Sequence, residues 1–490
     1  MSTDSQNGPD RRNLLKAIGL GGVGLAGGLG IGRAHAAEFA APERSESVDI
    51  VVIGGGMAGC AAALQAAEAG ASVVLVEKAN RIGGNSILAA GTFSLPLEDS
   101  ADAREAYVED YFNVTQERGD RAIFEAMARD IAQNIAWLEG HGAEFLAAEE
   151  RPPNRVATRN VGPGAWVGMP PFFRLLGERI EAHGGRVLTD VKARQLLVDE
   201  RGAIAGLRVQ DEDGLIDYRA PAVIIAAGGY AANTAMLEAF SDPNAGALMV
   251  RGYRGATGDG HVMAQAAGAG ITGMGGMMAL HIAAVSPEST AAGQPARAIP
   301  YALSINREGR RFIDESRGYV AHGKAVLDQP EGLTTLVFDQ TIRDLGPVSG
   351  VLDTFDRLGL DVYSADTIEE LAEKVGLPPQ ATRETIEAYN AEVSDGEAPG
   401  AEPPRRTLAH RVETGPFYAL HPLVPGITLT FGGIMTDDEA RVLEPDGRVI
   451  PGLYAAGEGA GGAFFEDYIG GGALTMCLTM GRIAGRTATG

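Results

Sequence analysis

An α/β fold built on a parallel sheet, with an α+β domain inserted into it, is predicted by three features of this 490-residue chain. Residues 48–53 (VDIVVI) form an apolar run that leads directly into Gly54-Gly55-Gly56-Met57-Ala58-Gly59 and a helical stretch. Residues 72–77 then give a second apolar strand ending in Glu77, and residues 222–227 a third ending in Gly228-Gly229. Near the C-terminus, residues 451–458 (PGLYAAGE) and 468–474 (YIGGGAL) return to strand, glycine turn and helix. Strand, turn, helix and strand make one βαβ unit, and such units pair their strands in parallel.

The chain is long enough for two or three domains, and 45% apolar residues suffice for a full core. A net charge of −23 and a pI near 4.8 argue against nucleic acid or an anionic membrane as partner. Two cysteines, Cys60 and Cys477, give no disulfide framework and no haem or iron–sulfur spacing. Electrons handled by this protein must therefore leave for something outside the chain.

Residues 1–36 read as a twin-arginine export signal. Arg11-Arg12 precede a Gly/Ala/Leu stretch at 17–32 that ends in Ala34-His35-Ala36. The stretch is too short and glycine-rich for a spanning helix, so no stable membrane insertion is expected. The mature protein is expected in the periplasm or outside the cell. Residues 101–143 have helical periodicity, 185–209 read as strands and hairpins, and 395–406 (DGEAPGAEPPRR) as a surface loop.

Gly54, Gly56 and Gly59 stand between strand and helix. The first makes the turn, the second lets backbone approach a pyrophosphate, and the third lets helix pack on strand. Phosphate charge then faces the helix N-terminus. Glu77 ends the second strand, where a carboxylate accepts hydrogen bonds from ribose hydroxyls. The residues after Glu77 indicate FAD rather than a smaller nucleotide. Small residues run through Lys78, Gly83-Gly84-Asn85-Ser86 and Ala89-Ala90-Gly91-Thr92, letting backbone approach a long flat cofactor. Ala58, Ala193, Ala227-Gly228, Gly457-Glu458 and Ala473-Leu474 complete the expected cofactor contacts. The domains are therefore a Rossmann-like FAD-binding domain in two parts, 45–233 and 415–490, around an inserted second domain at 234–414. No metal site is expected.

These pieces, with EKANRIGGNS, AAGGY, INREGRRFIDES and TDDEARVLEPDGRVIPGLYAAGE, span nearly the whole mature chain. The chain resembles the flavoprotein family of soluble fumarate reductases, urocanate reductases and 3-ketosteroid dehydrogenases. The resemblance implies FAD under a capping domain. No histidine lies just before residues 89–91, where some relatives attach flavin, so noncovalent FAD is expected.

Departures from the family's fumarate site bear on the substrate. The resemblance places a proton-donating arginine where Tyr319 stands, a clamping arginine where Tyr468 stands, and a histidine before Gly432-Gly433 where Leu429-Thr430-Phe431 stands. A dicarboxylate would lose most of its cationic partners. Tyrosines at those two places are similar to ketosteroid dehydrogenases. There the pattern Tyr468-Ile469-Gly470-Gly471-Gly472 implies that the Tyr468 hydroxyl and the Gly472 N–H hold a C3 carbonyl, with Tyr319 removing the neighbouring proton.

The chemistry stands without the analogy. A C–H bond beside a ketone is a poor acid, so donors on the carbonyl oxygen must stabilise the enolate. A phenol, with a pKa of about 10, must be shifted to act as base near neutrality. A neutral, aromatic-lined pocket for a small apolar ketone is expected. His281 and Arg297 are candidate substrate contacts, with Arg317 two residues from the donor position. His281 reads equally as a core histidine and Arg297 as an ion-pair residue.

The expected function is desaturation of a CH–CH bond next to a ketone, on a 3-ketosteroid, with a quinone or cytochrome taking the electrons. Two alternatives stand beside it: a periplasmic reductase of an α,β-unsaturated acid, using His281, Arg297 and Arg317, and a non-catalytic flavin subunit of an electron-transfer complex.

Overall fold

The structure is a computed structural model that describes residues 41–490 except 152–153, 165–166, 284–292 and 466, and the side chains at 278–283. The export segment read from residues 1–36 lies outside the described residues. Among those described, no helix is long and apolar enough to cross a membrane.

Strands Ile50–Ile53, Val73–Val76 and Ala222–Ile225 are buried at every position. Continuous β-branched runs suit a parallel sheet covered on both faces, and these form its centre. The order across the sheet is Arg186–Leu188, Val73–Val76, Ile50–Ile53, Ala222–Ile225, Val449–Ala455, all parallel, then Arg441–Leu443 antiparallel at the edge. A returning C-terminal strand thus docks beside strands more than two hundred residues earlier.

Helix Met57–Glu68 leaves the glycine turn and packs along the C-terminal helix Gly472–Thr489. The approach is as close as backbone allows. A Cβ on Gly481 would lie 2.4 Å from Ala58 O, and one on Gly485 2.4 Å from Ala62 O. Glycine one helical turn apart, facing alanine one turn apart, locks the two helices in register.

A second sheet holds the cap. Strand Phe417–Thr430 pairs with Met249–Val250, Met277–Ala283, Thr334–Asp339 and Tyr363–Ala365, and Leu303–Ile305 extends the sheet beyond Thr334–Asp339. The structure differs here from the sequence boundary at 415: this long strand belongs to the cap sheet, and the chain rejoins the flavin sheet only after Gly432.

Under the cap sheet lies a charged core. Glu315 is wholly buried and accepts from Arg311 Nη2 and Arg405 Nη1, each at 3.0 Å, and from Ser304 N–H at 2.9 Å. Arg405 also donates to Ala302 O at 3.0 Å. The loop at 395–406 is therefore not wholly a surface loop: Arg405 is drawn inward as the second cation of a buried triad.

Candidate active site

The glycine turn is set by sterics. Gly54 has φ +100°, and a Cβ there would lie 2.4 Å from Ala226 O; one on Gly59 would lie 1.8 Å from Gly54 O. The space so preserved opens into a cavity lined by Gly54, Gly56, Ala58, Glu77, Lys78, Gly84, Asn85, Ser86, Ala193, Ala227, Gly228, Gly457 and Glu458. Gly59 packs behind the turn. Glu77 is anchored by Gly55 N–H and Ala79 N–H, each at 2.8 Å, one to each carboxylate oxygen. Its position is thereby fixed at the strand end, still lining the cavity. A cavity with a helix N-terminus and a fixed carboxylate at the strand end fits FAD's adenosine and pyrophosphate.

Lys78 donates to Asp259 and Thr257, both at 2.8 Å. This ties the flavin loop to a segment assigned from sequence to the cap. Asn85 bridges similarly, donating to Thr428 O at 2.9 Å and accepting from Tyr253 N–H at 3.0 Å. Half-buried Glu458 accepts from Thr430 N–H at 3.0 Å, and desolvation pushes its carboxyl above the usual range.

Asn85, Ser86, Tyr253, Glu458 and Cys477 also line a second, larger cavity of about 1090 Å³ that shares these residues with the first. It contains Ala90, Ala473 and Leu474, and it brings Tyr319 and Tyr468 together. Tyr319 opens the cap helix Tyr319–Leu327 directly after Gly318, whose φ of +86° favours glycine. Tyr468 stands in the last turn before the C-terminal helix, its ring 5.7 Å from Phe464 and 6.1 Å from Phe431. Burial raises both phenols above the usual tyrosine range, each further raised by the Asp467 carboxylate. Tyr319 has one opposing influence, the positive charge of Arg251. Cys477 is likewise pushed up by burial, to about 12.

Gly472 departs from expectation. Its N–H closes the turn onto Ile469 O at 2.9 Å, and a Cβ there would lie 2.5 Å from the Tyr111 hydroxyl. The glycine is needed for that close approach, not as a free donor. Ala473 and Leu474, next along the helix, are the first-turn residues that line the cavity. Tyr107 and Tyr111 lie behind the turn, sharing the Ser94 hydroxyl at 2.9 and 2.6 Å. Gly91 is outside both linings; its φ is +73°, and a Cβ would meet Met169 Sδ at 2.9 Å.

Among the candidate substrate contacts, Arg297 and Arg317 are exposed and line neither cavity. The backbone of His281 pairs with Pro425, while its side chain lies outside the described residues. Four other arginines, Arg81, Arg151, Arg251 and Arg254, do line the second cavity, and Arg251 is the one whose charge acts on Tyr319. Burial lowers Arg251 to about 10. The expected neutral pocket therefore carries a guanidinium. The hint was Arg251-Gly252-Tyr253-Arg254, two arginines flanking a tyrosine ahead of Gly255-Ala256-Thr257-Gly258-Asp259, the segment that returns to Lys78.

A dinucleotide cavity opening into a capped cavity with two half-buried phenols defines an FAD-dependent oxidoreductase. The chain belongs to the FAD binding domain family, which matches residues 49–473. It is 31% identical to a fumarate reductase (cytochrome) of Shewanella frigidimarina, over 90% of this chain and 77% of that protein. It is also 31% identical to an NADH:acrylate oxidoreductase of Vibrio harveyi, over 95% of this chain but only 53% of that protein, so it spans about half that relative's length. A 4-oxocyclohexanecarboxylate 2-dehydrogenase of Sinomonas cyclohexanicum is 29% identical over 90% of this chain and 93% of that protein. Among solved structures, an open flavocytochrome c3 fumarate reductase superposes with TM-score 0.76 at 27% identity, covering 100% of this chain and 82% of that one. A 3-ketosteroid-Δ4-(5α)-dehydrogenase of Rhodococcus jostii has TM-score 0.73 at 22% identity, covering 93% and 99%, a likeness of fold.

Proposed function

We propose that this protein desaturates the CH–CH bond next to a ring ketone, in the manner of a 3-ketosteroid dehydrogenase. The observation that carries this reading is the pair Tyr319 and Tyr468, two half-buried phenols from different parts of the chain lining one large cavity. The Tyr468 hydroxyl donates to the carbonyl oxygen and stabilises the enolate as it forms. The Tyr319 oxygen takes the proton from the α-carbon. Bound FAD supplies the two-electron acceptor for the hydride leaving the β-carbon. Burial opposes ionisation of Tyr319, and Arg251 favours it, so the guanidinium sets how readily Tyr319 serves as base. Phe431 and Phe464 line the same cavity and suit a flat apolar ring. The electrons pass to an external quinone or cytochrome, and the mature protein works in the periplasm or outside the cell.

Arg251 favours a second reading, reduction of an α,β-unsaturated acid. There the guanidinium holds the substrate carboxylate, and protonated Tyr319 acts as acid. A substrate with both a ring ketone and a carboxylate, such as the one named for the Sinomonas relative, would use the phenols and the guanidinium together.

The test is anaerobic bleaching of the flavin by 3-ketosteroids and by 4-oxocyclohexanecarboxylate. Rapid bleaching that falls about 10²–10⁴-fold in Tyr319→Phe, with flavin retained, supports the dehydrogenase. No bleaching by any ketone, with reoxidation of reduced flavin by urocanate or acrylate, overturns it. Arg251→Gln separates the roles of the cation. For a neutral ketone it moves the pH–rate limb upward, because loss of the positive charge raises Tyr319, and leaves KM little changed. For an acid substrate it raises KM instead.

A further inference from the structure

We propose that Glu68, His141 and His183 form a binding site for a divalent metal ion of the zinc type, on the side of the flavin domain away from the cofactor turn. One ligand atom from each lies within 4.8 Å of the other two. Each residue sits at the C-terminal end of a different helix. Glu68 ends Met57–Glu68, His141 follows Arg121–Gly140, and His183 follows Met169–Ala182. Helix C-termini carry partial negative charge, and three of them meet here with a carboxylate.

The arrangement is also preoriented. His141 Nε2 lies 2.9 Å from Glu68 Oε1, and the His141 side chain is only 11% exposed. The Trp137 and His183 rings stand edge-on to it, at 5.0 and 5.8 Å. Trp137 Nε1 donates to Glu68 Oε2 at 2.7 Å, fixing the carboxylate and leaving Oε1 directed at His141. Such an outer partner is what orients a metal ligand. Two cations border the cluster without entering it. Arg179 donates to His141 O at 2.8 Å, and the Arg482 guanidinium lies 4.2 Å over the Trp137 ring, within the field of Glu68.

Two imidazoles and a carboxylate match zinc's ligand preference, with water in the fourth position. Bonds of about 2.0–2.2 Å need ligand atoms roughly 3.3 Å apart, a closure the exposed His183 supplies by rotation. The ion would join the far end of the dinucleotide helix to both flanking helices. It needs no electron transfer and no contact with substrate.

The experiment titrates Zn²⁺ into the flavin-loaded, chelator-treated protein by calorimetry. One ion per chain and a raised unfolding midpoint are expected. His183→Ala and Glu68→Gln should each weaken binding at least about tenfold with flavin content unchanged, while Glu444→Gln, on the exposed edge hairpin, leaves it intact. Absence of stoichiometric binding overturns the proposal. So does binding that His183→Ala and Glu68→Gln leave unaltered, since the ion would then sit elsewhere. His183 is exposed, so its removal tests the site without disturbing the core.

Discussion

Behind Tyr468, the flavin-side wall of the large cavity is packed from glycine, alanine and neutral hydroxyls. Behind Tyr319, the cap-side wall is built round a carboxylate clasped by two guanidinium groups. The first wall is specified by shape. Gly481 and Gly485 admit the flavin helix so closely that no methyl group fits between them. The second is specified by charge, since Glu315 stands only four residues before Tyr319 and holds that segment against Ser304 and the Arg405 loop. The two phenols are thus positioned by unrelated forces, and a perturbation of one kind should reach only one of them.

The largest effect expected from that division is at Glu315. Glu315→Ala leaves two buried arginines without their counter-charge, a loss of about 3–5 kcal/mol. Urea unfolding should read it as a lowered midpoint, and activity should fall because Tyr319 is no longer held, while FAD affinity changes little. Loss of FAD in that variant would break the comparison. Gly481→Ala tests the opposite wall. The added methyl meets Ala58 O, for about 1–3 kcal/mol of strain, and flavin retention in gel filtration should drop.

The smallest effect concerns acid. Burial pushes His322, on the Tyr319 helix, down to about 3, and its Nε2 lies 2.5 Å from Ser304 Oγ. The folded state thus keeps it neutral, while the unfolded chain binds a proton below about pH 6.5. Its contribution is present above that pH and is lost as pH falls toward 3, at up to about 1.4 kcal/mol per pH unit. Buried His261, on the flavin side, is held at about 4 and follows the same sign. Unfolding midpoints at pH 7, 6 and 5 should fall less steeply in His322→Gln than in the parent. Equal slopes would mean that the cap does not carry this proton linkage.

What the sequence revealed followed the same line between shape and charge. Glycine spacing, β-branched runs and a terminal carboxylate are local, so the cofactor turn at Gly54–Gly59 and the placement of Glu77 could be read directly. Tyr319 and Tyr468 stand out only through the family resemblance, and both line the second cavity. Pairings over long separations left no such trace. Lys78 with Asp259, and Glu315 with Arg405, join residues 181 and 90 positions apart. Arg251 was missed because an arginine in a loop reads as solvated until the fold buries it. Gly472 was misjudged because spacing gives no direction to an N–H; the turn onto Ile469 consumes it.

Cys477 has a consequence for the durability of such a protein. It lines both cavities, yet burial holds it as a thiol, and Cys60 is pushed up further by burial and by Glu77. Peroxide attacks thiolates, not thiols. Reduced flavin that leaks electrons to oxygen would therefore find no ionised sulfur beside it to age. Turnover in air would leave both thiols unoxidised.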